Sequence, residues 1–351
     1  MKRIKIGVIG LGSISDYHIK AYKAMPNVEV IALCTRNEVR LAKAAKKHSV
    51  AKTYTDYGEM LKLSDLDSIS ICTINKEHAK AAIAALNAGK HVLCEKPMAL
   101  NAKEALAMEE AAIAAGKVLM IGFTRRFSRE AEMLKSFMDE GQLGNIYYAK
   151  ANYLRRAGFP GGWFGSKELA GGGPLIDLGV HLIDLVRYLT NKPKAVRVTA
   201  VTYDQLGSRS NIVDKGGYKS VDPRNTIYDV EDLAVALITF DNGMTLNLET
   251  SFSLNLKEDR QKVELFGNRG GAKLDSTLEV YTELNNRLVN ILPVGQKQLS
   301  FDELFRKEIA HFIEAINKGK DVLETAKDGI EVMKIIDAIY LSAATGKEVR
   351  L

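Results

Sequence analysis

The chain begins with the stretch IKIGVIGLGSIS at residues 4–15, a short apolar strand that leads into a glycine turn. In this pattern Gly10 allows a tight turn and Gly12 lets the backbone approach a pyrophosphate. The helix that follows offers its first amides, at Ser13 and Ile14, to phosphate oxygens. A serine at the end of the stretch replaces the third glycine and is small enough for close packing of helix on sheet. The stretch predicts a dinucleotide site, and a tight turn without a ligand is the alternative.

The first third of the chain alternates apolar runs with helical stretches. We predict strands at 4–9, 28–34, 68–73, 91–94 and 118–122, and helices at 14–25, 37–48, 56–63, 77–88 and 101–116. Continuous apolar strands are typical of a parallel sheet that is covered on both faces. The alternation therefore predicts a doubly wound α/β sheet, whose ligands bind at the carboxyl ends of the strands.

After about residue 123 the pattern changes. We predict a helix at 128–140, strands at 145–156, 195–203, 231–240, 243–252, 261–267 and 277–281, and closing helices at 302–318 and 326–345. The turn Asp241-Asn242-Gly243 between two alternating runs predicts a hairpin. The sequence thus predicts two domains: 1–123 for the nucleotide, and 124–351 with an α+β fold and a mostly antiparallel sheet. The polar segment 204–230 is interpreted as one long irregular loop that is either functional or disordered, with a mobile or lid-like part at 211–225.

Composition limits the possible partners. The 351 residues include 49 basic and 43 acidic side chains, spread along the chain without a basic block, which disfavours nucleic-acid binding. No apolar run approaches the roughly 20 residues of a membrane helix, and no signal peptide precedes the first strand. Cys34, Cys72 and Cys94 end apolar runs and are expected to be buried thiols, not metal ligands. We expect a cytoplasmic protein with neither a membrane nor a nucleic acid as partner.

The end of the second strand bears on the choice of cofactor. It lacks the acidic residue that binds the ribose 2′-hydroxyl in most NAD enzymes. Arg36 could pair with a 2′-phosphate, and Thr35 could donate a hydrogen bond. This favours NADP, or use of both NAD and NADP. A helix N-cap role of Thr35 or Asn37 is the alternative.

Lys96 ends a predicted strand, in the run HVLCEKP at 91–97. Its position places it on the edge of the sheet where a nicotinamide should lie, and Pro97 restricts the direction of the chain there. Hydride transfer from a secondary alcohol needs a base for the hydroxyl proton and a cation that stabilises the alkoxide. Lys96 is the candidate cation, and a lysine that merely extends into solvent is the alternative.

A second candidate group lies in GGGPLIDLGVHLID at 171–184. The proline predicts a helix that starts near residue 174. Asp177 and His181, four residues apart, then share one face of a largely apolar helix. A carboxylate beside an imidazole is a workable acid/base pair near neutral pH. A satisfied hydrogen bond in the core is the alternative, and Asp184 is a competing partner for His181.

These motifs resemble those of the Gfo/Idh/MocA oxidoreductases, named for glucose–fructose oxidoreductase, inositol dehydrogenase and a rhizopine-catabolism protein. The resemblance is carried by residues 7–15, 73–78, 95–97, 122–127, 171–181, 230–234 and 342–346. It implies a Rossmann domain and an open-faced sheet domain, with the active site in the cleft between them and homodimers or homotetramers formed through the sheet. Ile74 and Thr124 replace the usual proline and asparagine, which changes the shape of the site and leaves the chemistry intact.

The resemblance also implies roles for individual residues. His181 would exchange the proton, Lys96 would lower the pKa of the substrate hydroxyl and help to place the nicotinamide, and Asp177 would position the substrate. The cofactor contacts are assigned, in addition to Lys96 and the residues of the glycine turn and second strand, to Thr73, Asn75, His78, Glu95 and Arg125.

Substrate selection is assigned to the second domain. The candidates are Tyr153, Arg155, Arg156, Trp163, Phe164, Asp177, His181 and the 204–230 loop. Trp163, the only tryptophan, could stack on a sugar ring, and a core role is the alternative. Arg125 and Arg126 could bind a substrate hydroxyl or carboxylate, or pair at the domain interface.

The family resemblance implies a dehydrogenase or reductase that uses NAD or NADP. The expected substrate is a secondary hydroxyl of a sugar or cyclic polyol, either inositol-like or a pyranose. Two alternatives stay open. One is a redox-neutral, nicotinamide-assisted glycoside hydrolase or epimerase. The other is a non-catalytic NADP sensor, which the presence of both Lys96 and His181 disfavours.

Overall fold

The computed structural model of the protein describes residues 3–209, 211–213, 218–221, 227–319 and 322–351. The chain divides into two compact units. The first unit comprises Met1–Thr124 and Ser300–Ile330, and the second comprises Arg125–Leu299 and Glu331–Leu351. The first break lies beside the predicted boundary at 123/124. Residues 300–330 group with the first unit. The predicted domains 1–123 and 124–351 stay a prediction.

The first unit is built on a parallel sheet of six strands. The strands are β1 (Ile4–Ile9), β2 (Val28–Cys34), β3 (Lys52–Tyr54), β4 (Ser68–Ile71), β5 (His91–Glu95) and β6 (Leu119–Gly122). The helices between them are α1 (Ser13–Lys23), α2 (Glu38–His48), α3 (Tyr57–Leu61), α4 (Asn75–Asn87) and α5 (Ala102–Ala115). The strand order β3-β2-β1-β4-β5-β6 is that of a Rossmann sheet, which confirms the predicted fold class.

Local sequence signals explain most of these elements. The strands β4 and β6 are buried at every residue, as continuous apolar runs predict for a sheet covered on both faces. Asn37 and Asn101 accept hydrogen bonds from backbone amides as the N-caps of α2 and α5, and Gly116 ends α5 with φ +58°. The short edge strand β3 was not predicted because its three residues are polar or partly exposed.

The second unit is built on a mixed sheet of nine strands. They are β7 (Ile146–Leu154), β8 (Ala195–Tyr203), β9 (Leu233–Phe240), β10 (Thr245–Ser251), β11 (Arg260–Gly267), β12 (Gly270–Leu274), β13 (Leu278–Leu284), β14 (Arg287–Ile291) and β15 (Val349–Arg350). The sheet order is β14-β13-β12-β11-β7-β10-β9-β8-β15. Among these strands β7 and β10 are parallel, and the other neighbouring pairs are antiparallel. The hairpin predicted at 241–243 joins β9 to β10, with Gly243 at φ +84°.

The remaining helices are α6 (Arg129–Asp139), α7 (Lys167–Ala170), α8 (Val180–Leu189), α9 (Phe301–Lys318) and α10 (Ala326–Thr345). The helix α9 packs on α1, where Phe305 stacks on Tyr17 with their ring centroids 5.2 Å apart. Phe305 is only 3% exposed. This contact explains why residues 300–330 belong to the first unit, although the sequence pattern shows only that a helix forms there.

One helical stretch, Lys167–Leu189, is long and apolar enough by composition to cross a membrane, which the sequence analysis did not anticipate. However, 83% of its most apolar window is buried inside the protein, as in the core helix of a globular protein. The three cysteines are buried and unpaired, as predicted. Of the predicted lid at 211–225, residues 214–217 and 222–225 lie outside the described residues, so the lid stays a prediction.

Candidate active site

The turn between β1 and α1 has the geometry of a nucleotide-binding turn. Gly10 adopts φ +87°, and a Cβ added there would lie 2.5 Å from the carbonyl oxygen of Cys72, so no larger residue fits. Gly12, the N-cap of α1, has φ −80°, and an added Cβ would meet nothing within 4 Å. The start of α1, at Ser13 and Ile14, therefore has no capping side chain and borders open space. A pyrophosphate fits such a helix start.

A buried hydroxyl near the carboxyl end of β4 also fits a bound dinucleotide. Thr73 Oγ1 is buried and has no hydrogen-bond partner among the described residues. Asn75, which begins α4, is also buried. Because buried polar groups in proteins are nearly always hydrogen-bonded, an unpaired hydroxyl at this edge of the sheet indicates a missing partner. A nicotinamide dinucleotide along this edge could supply it.

His78 supports this edge from behind. Its Nδ1 lies 2.7 Å from the carbonyl oxygen of Pro97, and its Nε2 lies 3.2 Å from that of Thr73. Burial lowers the pKa of His78, so the ring is neutral and donates one N–H to these acceptors. His78 therefore lies between the loop after β4 and the loop after β5, and its N–H binds one of them. Its predicted contact with the cofactor stays a prediction.

The end of β2 presents the residues that were considered for cofactor choice. Thr35 is half-buried and its backbone N–H donates to the carbonyl oxygen of Tyr54 over 3.1 Å. The side chain of Arg36 is 82% exposed and lies 4.0 Å from Glu77 Oε1. Asn37 is the N-cap of α2, so the capping alternative holds for Asn37 and not for Thr35. Arg36 is thus an exposed cation beside the expected adenosine ribose.

Glu95 and Lys96 lie where β5 ends. Glu95 is buried; its Oε1 is 2.9 Å from Nε2 of His18, and its Oε2 accepts the backbone N–H of Lys96 over 3.3 Å. His18 Nδ1 lies 2.7 Å from Ser70 Oγ. The carboxylate is therefore held from two sides, directly beside the backbone of the predicted catalytic lysine. The half-buried Lys96 is followed by a cis peptide bond to Pro97.

Asp177 and His181 stand apart from the rest of their helix. From residue 172 to residue 190 they are the only two residues that are not buried. Asp177 lies in a π-helical turn, Leu175–Gly179, and His181 lies in the first turn of α8. The helix begins near residue 174 as predicted, although with π instead of α geometry. Such π turns are frequent at functional sites. Here the π turn and the first turn of α8 hold the two half-buried side chains of an otherwise buried helix.

Glu231 anchors the start of the helix that carries Asp177 and His181, a role that the sequence did not reveal. Its Oε2 accepts the N–H of Gly173 over 2.9 Å, and its Oε1 accepts the N–H of Leu175 over 3.1 Å and the hydroxyl of Tyr340 over 3.0 Å. Burial raises the pKa of the Glu231 carboxyl. These partners lie 56 or more residues away in sequence, so no local pattern reports the contact.

Asp184, the predicted competitor for His181, is bound to Arg126. Arg126 Nε donates to Asp184 Oδ2 over 3.0 Å, and Arg126 Nη2 donates to Oδ1 over 2.5 Å. Both side chains are buried, and the guanidinium also lies 5.0 Å from the ring centroid of Tyr188. The pair satisfies two buried charges within the second unit. Arg126 is therefore a core residue, which corrects the suggestion that it binds substrate.

Arg125 lies among the predicted substrate residues. Its guanidinium is 5.2 Å from the ring centroid of Tyr153, and that of Arg155 is 5.0 Å from the same ring. Arg155 also donates to the Tyr153 hydroxyl over 3.2 Å and to the carbonyl of Gly158 over 2.9 Å. Burial tends to raise the pKa of Tyr153, but the nearby guanidinium groups of Arg155 and Arg125 outweigh it and the pKa is lowered. The phenol is thus activated as a proton donor.

The other substrate candidates are placed as follows. Trp163 is half-buried and stacks on the buried Phe164, with ring centroids 3.9 Å apart, so one face of the indole is already covered. Arg156 is exposed, and its backbone N–H donates to Asp259 over 2.8 Å. Stacking of Trp163 on a sugar stays a prediction.

Residues 4–123 match the family model described as oxidoreductase family, NAD-binding Rossmann fold. Residues 135–351 match the model of the same family's C-terminal alpha/beta domain. This chain belongs to the Gfo/Idh/MocA oxidoreductase family. The resemblance inferred from the sequence motifs is thereby confirmed, and the protein is an oxidoreductase with an NAD-binding Rossmann unit.

Named relatives cover the whole chain. It is 33% identical to D-glucoside 3-dehydrogenase of Escherichia coli (strain K12) over 99% of this chain and 97% of that one. It is 27% identical to myo-inositol 2-dehydrogenase of Thermotoga maritima over 93% of this chain and 92% of that one. Levoglucosan dehydrogenase in complex with NADH and levoglucosan superposes with a TM-score of 0.85 at 27% identity, covering 99% of both chains. The hydrolase, epimerase and sensor alternatives gain no support from these comparisons.

Proposed function

We propose that this protein is a dehydrogenase that transfers a hydride between a nicotinamide dinucleotide and a secondary hydroxyl of a pyranoside or related cyclic polyol. The observation that carries the proposal is that Asp177 and His181 alone are half-buried in a helix that is otherwise buried from residue 172 to residue 190. A lysine at the end of β5, Lys96, completes the set that such a reaction needs. The 33% identity to a D-glucoside 3-dehydrogenase supports a glucoside-like substrate.

The chemistry divides among these residues. A bound nicotinamide supplies the acceptor for the hydride that leaves the substrate carbon. We assign to His181 the uptake of the hydroxyl proton, since an imidazole is an effective base near neutral pH. The ammonium group of Lys96 stabilises the developing alkoxide, and the carboxylate of Asp177 orients the substrate. The net products are a ketone, the reduced dinucleotide and a proton.

Substrate contacts are assigned to the second unit. Tyr153 and Arg155 offer a phenol and a guanidinium to substrate oxygens, and Arg125 lies against the same ring. We also assign Arg125 to the cofactor contacts, as the family resemblance implies. Trp163 offers its second ring face to the apolar side of a sugar.

The first experiment measures reduced-nicotinamide absorbance with NAD and NADP against glucosides, anhydrosugars, hexoses and inositols. We expect turnover with one of these classes. Lys96→Ala should lower kcat by about 100-fold or more, the usual effect of removing an electrostatic catalytic group. Lys103→Ala removes an exposed lysine of α5 and serves as the matched control. Tight binding of dinucleotide without turnover on any of these compounds would contradict the proposal.

We further propose that the chain uses NADP, or both dinucleotides. The absence of an acidic residue at the end of β2 and the exposed Arg36 support this. Arg36→Ala should lower kcat/KM for NADP about tenfold while NAD is affected less, because only NADP has the 2′-phosphate. Lys43→Ala, an exposed cation on α2, is the control. An equal effect of Arg36→Ala on both cofactors would contradict the assignment.

We also propose a cytoplasmic homodimer or homotetramer that associates through the nine-stranded sheet. One sheet face is buried, whereas the other carries partly exposed apolar side chains, including Val201 at 46%, Tyr203 at 44% and Leu237 at 50%. Such a patch is typical of a protein interface. Sedimentation of the wild type and of Leu237→Asp tests it, and a wild-type monomer would contradict it.

A further inference from the structure

A cluster of ionisable side chains lies behind the end of β5, and the reaction described above does not use it. One oxygen or nitrogen each from His18 of α1, Glu95 of β5 and Glu308 of α9 lie within 4.8 Å of one another. All three residues are buried. The helix α9 that supplies Glu308 is the one that joins the first unit from the far end of the chain.

Glu308 is the unusual member of this cluster. It is fully buried, and its Oε1 accepts the hydroxyl of Thr124 over 3.0 Å. Its other oxygen, Oε2, is buried and has no hydrogen-bond partner within the described part of the chain. Burying an ionised carboxylate whose oxygen has no partner costs free energy. A protonated carboxyl group avoids this cost, because it is neutral and can donate a hydrogen bond.

The charges that act on Glu308 are negative. Burial is the largest influence that raises the pKa of Glu308, and the carboxyl groups of Glu95 and Glu324 raise it further. The hydrogen bond from Thr124 lowers it by less, so that the pKa lies well above its ordinary value. The other groups that face the cluster are His18 and Tyr22 of α1 and the thiol of Cys72.

A divalent cation would be another way to balance these carboxyl groups, but His18 does not present a lone pair to one. Its Nε2 lies 2.9 Å from Glu95 Oε1, and a carboxylate there can only accept the ring N–H. Its Nδ1 lies 2.7 Å from Ser70 Oγ. Both ring nitrogens of His18 are therefore used in hydrogen bonds, and neither is left to bind a metal ion. The cluster is a hydrogen-bonded network and not a metal centre.

We propose that Glu308 is a positioning residue that carries a proton at neutral pH and shares it with the carboxylate of Glu95, which in turn holds the backbone of Lys96. The proposal rests on the proposed function, in which Lys96 acts on the substrate hydroxyl. Glu95 then faces a neutral carboxyl group at Glu308 instead of a second negative charge. An ionised Glu308 would repel Glu95 and weaken its contacts with His18 and Lys96.

The protonation state is tested without substrate, with Glu308→Gln as the neutral isostere. The infrared difference spectrum between wild type and Glu308→Gln at neutral pH should contain the carbonyl stretch of a protonated carboxyl. Glu110→Gln, which changes an exposed residue of α5, should give only a carboxylate difference. Absence of the protonated band in the Glu308 spectrum would overturn the proposal.

Urea unfolding between pH 5 and pH 8 gives an independent readout. The unfolded chain loses the Glu308 proton near pH 4.3, roughly the ordinary value, whereas the folded protein keeps it. Because only the unfolded chain releases this proton, the unfolding constant of the wild type rises about tenfold for each pH unit. Glu308→Gln has no proton to release at this position and lacks this loss of stability. The stability of Glu308→Gln relative to wild type should rise with pH. A relative stability that falls with pH or stays constant would overturn the proposal.

The positioning role is tested by kinetics with two neutral replacements. Glu308→Gln can still donate a hydrogen bond to Glu95, whereas Glu308→Leu cannot. Glu308→Leu should lower kcat about tenfold, the usual effect of losing one hydrogen bond to a charged group, with a smaller change in KM, and Glu308→Gln should recover most of that loss. Equal kcat values for Glu308→Leu and wild type would overturn the positioning role.

Two further outcomes separate the alternatives. Stabilisation of the wild type by added Mn²⁺ or Zn²⁺ that is lost in Glu308→Gln would overturn the proposal in favour of a metal site. The wild type could also show the protonated carboxyl band but turn over no sugar. That result would overturn the proposed function and would still establish the proton on Glu308.

Discussion

Tyr153 is held between two guanidinium groups that leave its proton available for donation. Its hydroxyl oxygen accepts a hydrogen bond from Arg155 over 3.2 Å, and Arg125 lies on the same ring. The lowered pKa of Tyr153 means that the phenol ionises at a lower pH than an ordinary tyrosine. If the phenol donates to a substrate oxygen, activity must fall as this proton is lost.

Replacement of Tyr153 by phenylalanine tests this role. We expect kcat/KM to drop by about tenfold or more, the cost of a lost hydrogen bond to substrate, and the alkaline fall in activity to disappear. The ultraviolet titration of tyrosinate should lose its earliest step. Tyr147→Phe, an exposed tyrosine on the same strand, should change neither the kinetics nor that step. A wild-type pH profile in Tyr153→Phe would refute the assignment.

The two glycines of the nucleotide turn should respond differently to the same substitution. Gly10→Ala places a methyl group 2.5 Å from the carbonyl oxygen of Cys72 at φ +87°, so it should lower stability by more than about 1 kcal/mol. Gly12→Ala meets no protein atom within 4 Å, so the fold should hold. Its methyl group would occupy the space assigned to the pyrophosphate, and dinucleotide affinity should fall about tenfold or more.

Thermal unfolding and fluorescence titration with the reduced dinucleotide separate the two effects. Each variant serves as the control for the other, since each adds a single methyl group to the same turn. An unaltered dinucleotide affinity in Gly12→Ala would argue against a pyrophosphate at this helix start.

At the scale of elements, the catalytic helix depends on a distant carboxylate. Glu231 accepts the N–H groups of Gly173 and Leu175, where the π-helical turn that carries Asp177 begins, and it is itself fixed by Tyr340. Helix starts leave several amides without partners inside the helix, so the loss of this acceptor exposes two buried donors at once. The position of Asp177 therefore depends on the carboxyl group of Glu231.

We expect Glu231→Ala to lower the free energy of unfolding by about 2–3 kcal/mol, because two buried amides lose their acceptor. The same change should lower kcat, since the turn that carries Asp177 loses its support. Asp229→Asn is the matched control: Asp229 is exposed and accepts the N–H of Lys167, at the start of the four-residue α7. Urea unfolding and kcat measure the two effects. Equal losses in both variants would show that the contact with the catalytic turn has no special role.

At the scale of the whole molecule, the first unit is completed by a segment from near the end of the chain. Phe305 of α9 is 3% exposed and stacks on Tyr17 of α1, whereas Phe301, one turn earlier, is 63% exposed. The Rossmann unit should therefore depend on residues 300–330 for part of its stability.

Phe305→Ala should destabilise the protein by about 3–4 kcal/mol, as expected for a buried phenylalanine. Phe301→Ala should cost less than about 1 kcal/mol, because its side chain already contacts water. Urea unfolding of the two variants gives the comparison. Similar losses in both would mean that the packing of α9 on α1 contributes little.

The sequence alone determined the elements whose signals are local. Strand and helix alternation, the glycine turn, the asparagine caps and the 241–243 hairpin were all predicted, because periodicity and backbone preference act over a few residues. The weak strands β12, β14 and β15 were missed, since short or partly exposed strands carry little periodicity. The family motifs also lie in short runs, so the sequence alone shows the resemblance. The family models confirm it over residues 4–123 and 135–351.

Only the tertiary structure decided which side chains meet. It paired Asp184 with Arg126 instead of His181, placed Glu231 on the catalytic turn and brought Glu308 to Glu95. It also assigned residues 300–330 to the first unit. These contacts join residues that are dozens to hundreds of positions apart. The pairing of a buried charge depends on burial and on the geometry of its neighbours in space, which a one-dimensional pattern does not contain.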